Sequence, residues 1–139
     1  MNKESALELL NEYITTKSLL NHSQMVAIAM QAYAQKLGKD ENGTHQWWLC
    51  GLLHDLDWEA YPNEHPNYAV EHIFPKFDLS DEIQHAILAH APARTGIDAE
   101  SEIDWGEDVI LVTSKFSDAL ACVKRELQKI TQNFFSTFL

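Results

Sequence analysis

His54 and Asp55 stand side by side at the end of GLLHD, in the most hydrophobic stretch of the chain, and Asp57 and Glu59 follow within four residues. A carboxylate taken into an apolar segment is costly unless it is paired or bound to a metal. Histidine with aspartate in such a place therefore points to an ion, and this donor set suits Mn, Fe, Zn, Ni or Co better than Ca. Three further residues fit the same chemistry: His22, His90 and Asp118 each fall on an apolar helical face. A single histidine on such a face is more often a hydrogen-bonded core residue than a ligand. Four helices each bringing a histidine or aspartate inward favour the metal, and helical bundles commonly build such sites from facing helices.

The elements that must position these groups are all helices. Apolar residues recur with the 3.6-residue period, and Gly and Pro cluster between the periodic segments. Helices are expected over residues 5–14, 18–37, 44–56, 66–74, 80–91 and 108–131. KDENGT, DWEAYPNE and PARTGIDAESEIDWG are read as loops. Gly38 supplies a stop for the second helix, and Ser80 with Asp81 and Glu82 a start for the fifth. His22 shares a face with Val26, Ala29, Tyr33 and Leu37, and His90 with Ile83, Ala86 and Ile87. His54 shares one with Trp47 and Gly51, where the glycine lets another helix approach. Asp55 is about 100° further round, so one ion can touch both side chains. Asp118 lies beside Leu111, Lys115 and Cys122.

The other histidines divide. His65 follows the loop after Asp55 and is able to swing towards it. His85 is about 140° from His90 on the helix, which leaves it at the surface or behind the site. His72 reads as a surface residue and His45 as solvent-facing. Asp57 and Glu59 are either exposed loop acids or acids that orient a histidine or water.

The chain has 139 residues, enough for a single domain spanning 1–139. A chain of this length buries roughly 68% of its unfolded surface, so it needs neither disulfides nor a structural metal to fold. Cys50 and Cys122 sit in apolar runs and read as two buried thiols, which with no signal-like N-terminal segment gives a cytoplasmic expectation. No apolar run approaches the ~20 residues that span a membrane. The net charge is -11 and the ten Lys and Arg are scattered, which argues against nucleic acid and anionic lipid as partners. A phosphorylated substrate would need a cation from elsewhere, and a metal would supply it.

The order His22, His54-Asp55, Asp118 resembles the HD superfamily of metal-dependent phosphohydrolases. NHSQMVAIAMQAYAQKLG, WWLCGLLHDLDWEAYPNEHP and DEIQHAILAHA resemble a subgroup of small predicted HD-domain hydrolases, and with LLNEYI they cover most of residues 7–91. The resemblance implies an HD-domain bundle of about six helices. It makes His22, His54 and Asp55 ligands of a first metal, with Asp55 bridging to a second. HPNYAVEHI resembles the HPxxG segment of two-metal members and makes His65 a ligand; AILAHA makes His90 another. The GYP motif of the cyclic-dinucleotide phosphodiesterases is absent, so their substrate is not implied.

At the last helix an ungapped match puts Ser114 at the family aspartate, and a small shift puts Asp118 there. The two residues are one turn apart on one face. Asp118 is the expected ligand, restored by SDALACV.

The function this implies is hydrolysis of a small phosphorylated metabolite or nucleotide, using one or two divalent transition metals. His54 and Asp55 would be central to the chemistry, and a metal would acidify water and polarise a phosphoryl oxygen. Arg94, in the loop after His90, is the first candidate to grip phosphate, and Lys115 the second. Two rivals share these residues: a di-iron HD-fold oxygenase, and a ligand-binding or signalling module that has lost the chemistry. The apolar end ITQNFFSTFL fits a homodimer contact or an ordinary helix end.

Overall fold

A computed structural model describes residues 1–106. Its order is α1 (Lys3–Tyr13), α2 (Lys17–Lys36), α3 (Glu41–Leu53), a π-helical turn at Ala69–Ile73, a 3₁₀ turn at Phe74–Lys76, α4 (Asp81–Ala89) and α5 (Pro92–Thr95). Residues 102–106 are helical where the description ends. There is no strand among the described residues, and none of their helices is long and apolar enough to cross a membrane. The chain is all-α over this range. The expected helix at 108–131 lies outside the described residues.

Local chemistry sets the helix starts. Asn2 accepts from the Ser5 backbone N at 2.9 Å and opens α1. Asp40 accepts from Gly43 N at 2.7 Å and opens α3. Ser80 accepts from Ile83 N at 3.4 Å and opens α4. Each cap satisfies an amide that has no partner inside its helix. Gly38, with φ 75°, takes the left-handed conformation that closes α2.

The core lies between α2 and α3. Residues Trp47 to Leu53 of α3 are all buried, and Val26, Ala27, Met30 and Ala34 of α2 face them. Leu9, Leu10 and Ile14 close one side; Ile83, Ala86 and Ile87 of α4 close another. Gly51 is the closest approach. A Cβ there would stand 2.9 Å from Val26 O and from Met30 Cγ. The missing side chain lets the two backbones meet.

Three expectations are corrected. The third helix begins at Glu41, not 44, because Asp40 caps it and draws Glu41, Asn42 and Gly43 into its first turn. It ends at Leu53, so His54 is its C-cap and Asp55 and Leu56 lie in the turn that follows. The expected helix at 66–74 is helical from residue 67, but it passes from two α-helical residues into the π-helical and 3₁₀ segments, with Pro75 inside the latter. The stretch 92–106 is not one loop. Pro92 opens α5, Gly96 closes it at φ 71°, and Ser101 and Asp104 start the helical residues 102–106.

Candidate metal centre

The turn after α3 carries Asp55 into the space between α2, α4 and the 54–66 segment. Its two carboxylate oxygens face different histidines. Oδ2 lies 3.1 Å from His54 Nε2 and 3.3 Å from His22 Nε2. Oδ1 lies 3.4 Å from His65 Nε2 and 3.8 Å from His90 Nε2. The histidines also meet in pairs: His22 Nε2 to His54 Nε2 is 3.2 Å, and His65 Nε2 to His90 Nε2 is 3.1 Å. Two groups of three ligand atoms result, His22–His54–Asp55 and Asp55–His65–His90, sharing one carboxylate.

The opposite ring nitrogens are anchored. His54 Nδ1 is 2.8 Å from Gly51 O, and His90 Nδ1 is bonded to Ile87 O. A carbonyl accepts only, so in each ring the proton sits on Nδ1 and the Nε2 lone pair faces the shared space. His65 Nδ1 is 2.6 Å from Asp57 Oδ1, and Asp57 Oδ2 accepts from Ala69 N at 2.8 Å. Lone pairs aimed at one another at about 3 Å repel unless a cation lies between them. Two nitrogens on one ion at about 2.0–2.1 Å, at a tetrahedral angle, stand roughly 3.3 Å apart. The observed separations fit that arrangement, so this donor set suits a metal ion.

Burial and charge agree. His54, His65 and His90 are buried or nearly so, Asp55 is 17% exposed, and His22 at 35% is the most open of the five. Burial would push the Asp55 carboxyl up. The close approach of His22 and His54, with His65 nearby, outweighs it and holds the group well below the usual carboxylate range. For His90, burial and the neighbouring His54 lower the pKa to about 4, against the Ile87 carbonyl, which raises it.

The remaining candidates fall as follows. Arg94 is exposed. Its Nη1 donates to Pro62 O at 2.8 Å and His65 O at 3.4 Å, and its guanidinium carbon lies 5.2 Å from the Trp58 ring centroid. It thus stands beside the backbone of His65. Asp118, Ser114, Lys115 and Cys122 lie outside the described residues, and Cys50 is buried in α3. His72 is exposed, as expected.

His45 is not solvent-facing. It is half-buried, 2.8 Å from Met1 O and stacked on Trp48, because the N-terminus folds across the start of α3. Of the two acids after Asp55, Asp57 is fully buried against His65. Glu59 instead accepts from Thr15 N and Thr16 N, each at 3.0 Å, and from Thr15 Oγ1 at 2.6 Å, tying down the link between α1 and α2.

One buried acid escapes the sequence reading. Asp104 accepts from His85 Nδ1 at 3.1 Å, Glu100 N at 2.9 Å and Ser101 N at 2.8 Å. The Ser-x-x-Asp spacing of Ser101 and Asp104, a helix-start pattern, is the signal that would have found it.

No protein family, no curated protein and no solved structure matches this chain.

Proposed function

We propose that this chain is a metal-dependent phosphohydrolase with an HD-type helical bundle, acting on a small phosphorylated metabolite or nucleotide. The observation that carries the reading is the placement of Asp55, whose two oxygens each face a pair of histidine Nε2 atoms. His22, His54 and Asp55 would hold one ion, and Asp55, His65 and His90 another. Asp118 is the residue proposed to complete the first group.

The ions would supply Lewis acidity and an acidified water for attack on phosphorus. The chain's own residues supply the rest. Gly51 O and Ile87 O keep protons off the Nε2 atoms of His54 and His90. Asp55 stays ionised among its histidine rings. Arg94, held by two carbonyls and Trp58, is the cation proposed to steady a substrate phosphate. In a chain of net charge -11 such a fixed cation matters, because the surrounding field repels phosphate.

The test is a phosphoester panel run on protein stripped of metal and reloaded singly with Mn, Fe, Zn, Ni or Co. Turnover with at least one ion, lost in Asp55→Ala, is expected. No turnover with any ion would sink the reading. A carboxylate shared by two histidine pairs equally suits two irons, so the iron-loaded protein is also assayed for O₂ consumption. Oxygen uptake without phosphoester cleavage would replace the hydrolase with an oxygenase.

A further inference from the structure

We infer that Asp57 is a positioning residue that fixes the proton of His65 on Nδ1 and so keeps His65 Nε2 a donor to the second of the two ions proposed above. This rests on the metal reading above.

The three anchored histidines are not held alike. His54 and His90 each end a helix, and each ring bonds to the carbonyl three residues earlier, Gly51 O or Ile87 O. That partner comes with the helix end. His65 lies in the turn before the π-helical segment, and its ring is held by a carboxylate eight residues away in sequence. Asp57 is fully buried, and a buried carboxylate is costly. Orientation alone does not demand it, since carbonyls orient the other two rings.

A carboxylate does two things that a carbonyl does less well. It accepts the Nδ1 proton more strongly, and it makes the far nitrogen a better donor to a metal. Its other oxygen is satisfied by Ala69 N at 2.8 Å, so both lone-pair sets have work and the side chain cannot swing away. The outcome is a His65 Nε2 lone pair aimed at Asp55 Oδ1 and His90 Nε2. Without it the His65–His90 pair would relax by placing a proton between its nitrogens, and that side of Asp55 would be closed to an ion.

Asp57→Asn separates this role from simple bracing of the turn. The amide oxygen still accepts from Ala69 N. The amide NH₂ then faces His65 Nδ1, and a donor there forces the proton to Nε2, the ligand atom. Metal per chain is measured by elemental analysis at saturating Mn²⁺, affinity by Mn²⁺ titration calorimetry, and the His65 tautomer by ¹⁵N NMR of metal-free protein.

Wild type is expected to bind two Mn²⁺, with His65 protonated on Nδ1. Asp57→Asn is expected to weaken one of the two by roughly 10–100-fold, to leave the other within about threefold, and to move the His65 proton to Nε2. Two ions bound unchanged in Asp57→Asn would overturn the inference. So would wild type protonated on His65 Nε2, a measurement that needs no variant and stands if Asp57→Asn fails to fold. One ion in saturated wild type would overturn this inference alone; no ion at all would overturn the metal reading as well.

Discussion

Asp55 and Asp104 are both largely buried acids beside histidines, but their partners differ in kind. Asp104 takes two backbone amides and one ring, all on Oδ2, and the ring belongs to the partly exposed His85. These are the bonds of a helix start, with His85 tying α4 to the 100–106 segment. Asp55 spreads four histidine nitrogens over both oxygens, and two of those rings have their other nitrogen committed to a carbonyl. Burial does not separate the two aspartates. What separates them is whether the surrounding nitrogens come with protons, as amides do, or with lone pairs. The first arrangement is held by protein donors on Oδ2, with Oδ1 buried and unpartnered; the second offers its lone pairs to a cation.

The largest expected effect breaks that comparison outright. Asp55→Ala should abolish metal retention and hydrolysis together, because both ion groups share this one side chain. Asp104→Ala should leave metal content unchanged and lower stability by roughly 1–3 kcal/mol, the worth of a cap and a buried hydrogen bond. Elemental analysis and thermal melts on the two variants decide it. Metal lost equally from both would erase the distinction.

Next come the histidines. His22→Ala should weaken metal binding by more than the roughly 10–100-fold that supporting partners are worth. His85→Ala should leave it within about twofold. Titration calorimetry with Mn²⁺ is the measurement, and a strong effect at His85 would assign the wrong region to the ion.

The sequence showed the ligand candidates better than what supports them. His22, His54, Asp55, His65 and His90 stand out because each is polar on an apolar face or beside a family-like motif, and the structure brings the five together. The start of α4 at Ser80 was legible because a cap is a local pattern. The start of α3 was not, since Asn42-Gly43 reads as a turn until Asp40 is seen to cap it. In the segment 54–80 the loop followed by helical residues was legible, but the early end of α3 and the π-helical and 3₁₀ form were not. That form depends on the contact from Asp57 to Ala69, twelve residues apart, which no periodicity encodes. His45 failed for the same reason, its partner being Met1.

A smaller effect sharpens the Asp55 side through pH. In metal-free protein the folded His90 pKa, about 4, lies below the ordinary 6.5. The folded state then binds fewer protons than the unfolded one between these values. Its contribution is complete above pH 6.5 and is lost as pH falls towards 4. Replacing His90 with Gln should flatten the melting temperature across that window, and an unchanged slope would count against a buried neutral ring. The smallest effect belongs to Glu59, whose hydrogen bonds from Thr15 and Thr16 lower its pKa. Its contribution is present above the ordinary value and fades as pH falls through the lowered one. Glu59→Gln should reduce the melting temperature slightly at neutral pH, with metal content untouched.

Gly51 carries a consequence for the size of ion that the proposed centre would prefer. His22 is on α2 and His54 ends α3, and at Gly51, between them, the two helices close to the limit of backbone contact. Bond lengths of about 2.0–2.1 Å for zinc to nitrogen and 2.3–2.6 Å for calcium to oxygen differ by only a few tenths of an ångström. A single methyl group at this position would push the helices apart by a comparable amount. On the proposed reading, the absent side chain would act as a gauge for ionic size, keeping the His22–His54 opening at the small end of the range.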